Sequence, residues 1–257
     1  MSILVCAASK KIWGAMFRST GQFEGSFRDF VQQNETDAGV QNIARLHSDG
    51  ASYYRTNRKL VAFCRLKGIN QTSSPPHTPE LNGLAERTIR TVVEMARSML
   101  VSSGAPQNLY GEAMMYAIVT LNRLPYKSGA SLTRNEKYCG KRLPDQHKVL
   151  RPFGCAAWAI DFSENRDKLA PKSTMHVMLG FDGSQNSYRL GSWPALKILR
   201  SGHVSFDENF FPFKEQHAKT LTASGGPQMM QPQPTEVTMS DSSMGGAEEE
   251  DAEPHGG

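Results

Sequence analysis

The chain has 257 residues, 39% hydrophobic and 21% charged, which is enough for one sizeable core or two modest ones. No apolar run approaches the roughly 18 residues of a membrane span, so composition excludes a helical membrane protein. The net charge of +4 hides an asymmetry: Thr220 to Gly257 holds no Lys or Arg and seven acids, leaving 29 basic against 18 acidic residues elsewhere, a net of +11. A body that basic suits a polyanionic partner such as nucleic acid, and on charge alone it equally suits a generic basic surface.

Ser2 to Val5 is apolar and β-branched enough for a strand, and Ile12, Trp13 and Met16 suggest its hairpin partner. Phe23, Phe27, Phe30 and Val31 recur as one face of a helix. Gly39 precedes a strand over Val40 to Leu46 that ends at Asp49. A second helix is expected over Thr56 to Lys67, with Leu60, Phe63, Cys64 and Lys67 on one face and Gly68 as its stop. Ile69 opens a short strand, followed by an irregular loop from Ser73 to Gly83 with three prolines.

A long helix should span Leu84 to Ser103, burying Leu84, Ile89, Val92, Val93, Ala96, Met99 and Leu100, and Gly104 and Pro106 end it. The next helix, about Leu109 to Arg123, carries Ala113, Tyr116, Ala117, Thr120 and Leu121 on one face. This first part, residues 1–125, reads as an α/β layered fold. Residues 126–149 are a polar linker with a short helix at Thr133 to Tyr138. Short apolar runs then follow at turn-rich spacing: Cys155–Ile160, Met175–Phe181, Ser187–Leu190, Leu196–Leu199 and Val204–Phe206. They predict a small antiparallel barrel over 150–213. Residues 214–257, rich in Gly, Ser, Pro, Gln, Met and acid, are expected to be a disordered acidic tail. There is no internal repeat.

The opening residues are too short for a signal peptide's apolar region and lack a basic flank, so an intracellular protein is expected. Cys6, Cys64, Cys139 and Cys155 form no C-x-x-C pair and have no His at zinc-finger spacing. Buried thiols and a disulfide frame remain as readings, and an intracellular chain favours the thiols.

Asp49 follows a predicted strand, and Glu86 sits in the first turn of the long helix, brought back by the proline-rich loop. Two carboxylates at the carboxyl end of a sheet are the raw material of a site for a hard divalent cation. Two such ions roughly 3.5–4 Å apart can clamp the attacking and leaving oxygens of a phosphoryl transfer. The same residues also suit a turn Asp before Gly50 and a Glu placed for the helix dipole.

Longer motifs narrow these alternatives. Ser73-Ser-Pro-Pro-His-Thr-Pro-Glu-Leu-Asn-Gly-Leu-Ala-Glu-Arg-Thr-Ile-Arg90 resembles the P-H-T-P-x-x-N-G-x-x-E-R segment of copia-type retrotransposon integrases. Leu46-His-Ser-Asp-Gly50 resembles the strand bearing their second catalytic Asp, and Phe63-Cys-Arg-Leu-Lys-Gly-Ile69 the stretch between. Gly111-Glu-Ala with Leu121-Asn-Arg-Leu-Pro125 resembles the following helix. Leu150-Arg-Pro-Phe-Gly-Cys-Ala156 and Phe206-Asp-Glu208 resemble their small barrel. The resemblance runs in order over about residues 1–213.

It implies a ribonuclease-H-like core, a mixed sheet with flanking helices, followed by an SH3-like barrel. It also implies a D, D, E triad with two Mg²⁺ or Mn²⁺ ions, trimming of an element end, and strand transfer into target DNA. Asp49 corresponds to the second Asp and Glu86 to the Glu. Element ends and target DNA would be the partners, a homo-oligomer the acting form, and the nucleus the place of action.

The chain departs from that pattern at the first Asp, where the line-up puts Cys6; no Asp or Glu occurs from Met1 to Phe23. A thiol is a poor ligand for a hard cation, so an impaired enzyme is expected, with a non-catalytic nucleic-acid-binding remnant as the alternative. Asp49 and Glu86 are separated by 36 residues, one more than is usual in the family. No zinc module precedes the core and no reverse transcriptase follows, so the chain reads as a piece of a polyprotein. Arg87, Arg90 and Arg97, with His77 and Asn82, are candidates for DNA contact beside the metals; an Arg90–Glu94 pair on a solvated helix face is the plainer alternative. Lys168, Lys172, Arg189, Lys197 and Arg200 give the barrel a basic character. Trp158 and Trp193 fit its core better than a base-stacking platform.

Overall fold

The structure, a computed structural model, describes residues 1–37, 43–48, 52–74, 82–160, 171–183 and 186–223. Strands β1 (Ser2–Val5) and β2 (Ile12–Ala15) form an antiparallel hairpin with Leu4 opposite Trp13. Its turn is closed by two backbone bonds, from Cys6 N–H to the Lys11 carbonyl and from Lys10 N–H to the Cys6 carbonyl. Helix α1 (Phe23–Asp37) buries Phe23, Phe27 and Val31, a stripe at four-residue spacing.

Strand β3 (Arg45–Ser48) leads through α2 (Ser52–Thr56) and α3 (Arg58–Leu66) to β4 (Asn70–Ser73), which lies parallel to it with Leu46 opposite Gln71. The helix expected over Thr56 to Lys67 is α3, which begins two residues later, at Arg58. Asn57 is the reason: its backbone is extended and its side chain accepts the Leu60 N–H at 3.0 Å, which starts a fresh helix. The strand expected from Val40 begins at Arg45, and residues 38–42 lie outside the described residues. Phe27 of α1 meets Phe63 of α3 edge to face, and Leu60, Cys64 and Ile69 complete this first core.

Helix α4 (Gly83–Ser103) runs as expected and ends on Gly104, whose left-handed backbone (φ +70°) frees the closing N–H for the Leu100 and Val101 carbonyls. Val92, Ala96 and Leu100 are buried, whereas Ile89, expected in that stripe, is 42% exposed. Helix α5 (Tyr110–Asn122) is buried on more than one face: Ala113, Met114, Tyr116, Ala117, Ile118, Leu121 and Asn122 are all covered. It packs against α4, against β2, and against the second lobe.

The linker carries α6 (Arg134–Cys139), started by a capping box between Thr133 and Glu136. It is tied down. Tyr138 meets Trp13 edge to face and donates to Asn34 Oδ1, and buried Arg134 donates to the Leu121 carbonyl.

The second lobe is a five-stranded antiparallel sheet of β5 (Ala156–Ile160), β6 (Ser173–Asp182), β7 (Ser187–Ser192), β8 (Ile198–Ser201) and β9 (Val204–Asp207), in the order β8-β7-β6-β5-β9. The two-residue link from β8 to β9 ties the opposite edges of the sheet together, and β6 bends at a bulge between Met178 and Gly180. Val177, Met178 and Leu179 join Ile12, Val92, Ala117 and Phe213 in one continuous core.

Helix α7 (Pro212–Ala223) corrects the tail: residues 214–223 are helical, not disordered. Pro212 is fully buried, and Phe213 is buried against Trp193 with ring centroids 5.1 Å apart, so a long-range aromatic contact orders a stretch whose composition reads as tail. Residues 224–257 lie outside the described residues. Among the described residues no helix is long and apolar enough to cross a membrane.

One polar contact fastens the hairpin to α5. Asn122, 7% exposed, accepts the Ile12 N–H at 2.9 Å and donates to the Ile12 carbonyl at 2.7 Å. Asn122→Leu keeps the volume and strips both partners from a buried peptide group, so urea denaturation should show a loss of about 2–4 kcal/mol. A change under about 0.5 kcal/mol would mean that water replaces the clamp.

Candidate active site

The site is built where β3 runs out. His47 on β3 reaches both ways: its Nδ1 lies 2.9 Å from Thr72 Oγ1 and its Nε2 3.0 Å from Ser74 Oγ. The Ser74 N–H also donates to the Ser48 carbonyl at 3.1 Å. These bonds fix the carboxyl ends of the two parallel strands to each other. Sequence reasoning missed this strap; its signal was a polar β4, Asn70-Gln-Thr-Ser73, facing a strand with a histidine.

Asp49 comes directly after the strapped segment, but Asp49 and His77 lie outside the described residues. Asn82 precedes α4 and its side chain makes no capping bond. Glu86 is exposed in the first turn of α4, where a carboxylate is favoured by the helix dipole.

A groove of about 640 Å³ joins these pieces: Cys6 from the end of β1, Arg45 and His47 from β3, and Asn82 and Ala85 from the start of α4 all line it. Chain positions 6, 47, 82 and 85 are thus brought together, with Asp49 two residues beyond one of them and Glu86 directly after another. Among the described residues there is no group of three His, Cys, Asp or Glu side chains that could hold a metal ion. Both ring nitrogens of His47 are already engaged.

Cys6 is partly buried, and its Sγ accepts the Ser9 N–H at 3.4 Å. Burial works to raise its pKa, but hydrogen bonds from Ser9 and Ala8 and the nearby Lys10 outweigh it and hold the thiol below its ordinary value.

Arg87, Arg90 and Arg97 are all exposed on α4. Arg90 and Glu94 are both exposed and form no ion pair with each other among the described residues. The basic character expected of the barrel needs correction. Arg189 is not surface charge for a polyanion: its Nε and Nη2 bind the two Glu112 oxygens at 3.0 and 2.7 Å, joining α5 to the sheet. Arg200 lies 3.7 Å from Asp182. Lys172 and Lys197 are exposed, and Lys168 lies outside the described residues. Trp193 packs on Phe213 as core, as expected, and Trp158 is half-buried.

Residues 155–220 match the family model of the retroviral polymerase SH3-like domain, a span that takes in most of α7. The chain is 34% identical over 202 residues to the retrovirus-related Pol polyprotein from transposon TNT 1-94 of Nicotiana tabacum, covering 79% of this chain and 15% of that protein. It is 34% identical over 171 residues to the Pol polyprotein from transposon RE2 of Arabidopsis thaliana, covering 66% of this chain and 11% of that protein. The chain therefore spans a small part of these relatives. Among solved structures, the catalytic core domain of BIV integrase is 21% identical, covers 54% of this chain and 84% of that one, and has a TM-score of 0.42. The chain is a homologue of the Pol polyproteins of copia-type retrotransposons, and its residues 155–220 match the SH3-like domain of retroviral polymerases.

Proposed function

We propose that this chain is the DNA-handling part of a retrotransposon integrase, a polynucleotidyl transferase by descent that is impaired as it stands. The observation that carries the reading is the groove shared by the end of β3 and the start of α4, the two chain ends from which Asp49 and Glu86 follow. Two carboxylates suit a hard divalent cation such as Mg²⁺ or Mn²⁺, so the donor chemistry fits, though with one carboxylate fewer than the family's triad. Asp49 and Glu86 would hold the ion. When bound, such an ion neutralises charge on the transferring phosphoryl group and activates the attacking oxygen.

The chain's own residues supply the rest. The His47–Thr72–Ser74 strap keeps the strand end that leads to Asp49 in place. Arg87, Arg90 and Arg97, exposed on α4, would bind phosphates and set the DNA's register beside the carboxylates, with Asn82 and His77 at the same end. Cys6 offers a soft thiol where the family line-up has its first carboxylate, which is the ground for impairment. An assembly of several copies on paired DNA ends, acting in the nucleus, belongs to the same reading.

The second reading, a binding remnant without catalysis, draws on the thiol of Cys6, a poor ligand for a hard cation, and on the exposed arginines of α4. Strand transfer on a labelled oligonucleotide with Mn²⁺ separates the two. The unaltered chain is expected to join no DNA, and joining would overturn the impairment. Recovery in Cys6→Asp would assign the third ligand to position 6. No recovery, with DNA binding intact, would favour the binding remnant.

DNA binding itself should be steeply salt-dependent. Changing Arg87, Arg90 and Arg97 together to Ala should weaken it at least about ten-fold and flatten the slope of log K against log salt by about 1 for each phosphate no longer neutralised. Fluorescence anisotropy at several salt concentrations reads both, and Glu86→Gln should leave both unchanged in the absence of metal. An unaltered slope in the triple variant would move the DNA surface away from α4.

A further inference from the structure

Helix α7 is held at one end. Pro212 and Phe213 are buried, whereas every residue from Lys214 to Lys219 is exposed. A helix of 12 residues is marginal in water unless something packs along it. Beside it lie two grooves of about 490 and 500 Å³. Trp193, Pro194 and Gln216 line both, so the two are neighbours. Phe213 and Leu196 add apolar surface to one, Met175 and Phe210 to the other. Trp193 is half-buried and Pro194 exposed, so this apolar surface reaches solvent. Aromatic-lined grooves of this kind receive polyproline II segments, which lose little conformational freedom on docking.

The sequence that follows α7 has the matching pattern. After Ala223 come Ser224, Gly225 and Gly226, and then Pro227-Gln-Met-Met-Gln-Pro-Gln-Pro234. Three of those eight residues are proline, and none is charged or β-branched. Polyproline II has three residues per turn, so Pro227 and Met230 share one ridge and Met229 and Pro232 the next. Two adjacent apolar ridges suit two adjacent grooves. Gln228 and Gln231 fall on the third ridge, where polar side chains can stay wet.

Length and direction agree as well. From Phe213 to Ala223 the helix rises about 15 Å. Eight residues of polyproline II span about 25 Å, enough to run back along α7 and across both grooves. The two glycines at 225 and 226 permit the reversal.

We propose that the paired grooves around Trp193 and Pro194 are a docking site for residues 227–234 of the same chain, bound as a polyproline II strand lying back along α7. Docking covers the exposed side of α7 and holds the first part of the tail against the second lobe. The inference rests on the grooves and on the sequence after α7, and stands apart from any action on DNA.

The test uses the full 257-residue chain labelled with 5-fluorotryptophan, which gives one ¹⁹F signal each for Trp13, Trp158 and Trp193. Trp193→Phe assigns the third signal; if that variant does not fold, elimination with Trp13→Phe and Trp158→Phe assigns it instead. Two altered chains are compared with the natural one. The first combines Met229→Ser, Met230→Ser and Pro232→Ser. The second inserts one glycine between Met230 and Gln231, which keeps the composition and breaks the three-residue phase. Both should shift the Trp193 signal and leave those of Trp13 and Trp158 in place. A synthetic peptide of residues 225–236 added to the triple-serine chain should return the signal to its natural position. Half of that return should come at or below about 1 mM, because a short tether supplies an effective concentration of that order. The same Trp193 signal in all three chains, or a peptide needing ten times that concentration, would overturn the proposal. A glycine insertion without effect would overturn the polyproline II register. A Trp193 signal that moves with protein concentration would put a second copy's segment in the grooves and overturn docking within one chain.

Discussion

Helix α5 holds the two lobes together, both by apolar burial and by polar side-chain contacts. Asn122 grips the Ile12 peptide from both sides at one end. One turn and a half earlier, the Tyr116 hydroxyl donates to the Arg151 carbonyl at 2.7 Å and accepts the Arg151 N–H at 2.9 Å. Burial pushes the Tyr116 pKa up to about 12, so the hydroxyl keeps its proton and the donor role across the working pH range. At the helix start Glu112 takes the fork of Arg189, and in its last turn the Leu121 carbonyl accepts from Arg134 of α6. Each contact reaches a different piece of chain. A helix so apolar that it is covered on most sides would otherwise have no fixed rotation; these polar contacts set it.

Much of the element order was legible in the sequence because the signals were local. Phe23, Phe27 and Val31 declare α1, Gly104 and Pro106 end α4, and the apolar runs from Cys155 onward fall within a residue or two of the observed strands. The misses have a common cause. Asn57 sets the start of α3 by a cap, and α2 just before it is too short to show a periodic stripe. Residues 214–223 fold because Phe213 finds Trp193, twenty residues earlier in the chain. Periodicity and composition carry no information about such partners.

The candidate site divides in the same way. Glu86 in the first turn of α4 and the open row of arginines were readable from spacing and are found as expected. The His47 strap was not, since it depends on the register of a parallel pair whose strands are separated by two helices. Charge counting also misled at Arg189, where a basic residue in a basic lobe serves an internal carboxylate. Net charge describes a surface only after the internally paired residues have been removed from it.

The bend of β6 against α5 has a consequence for how such a chain can be inherited. Sequence texture changes at Pro125, and residues 124–129 are exposed, which marks a natural joint. Yet Val177, Met178 and Leu179 on one side of that joint share a core with Ile12, Val92 and Ala117 on the other. Recombination that exchanged the second lobe alone would leave α5 with a bare apolar flank and Glu112 without its arginine. The visible joint is a crossing of the chain and not a seam in the packing, so the two lobes are expected to travel through evolution as one piece.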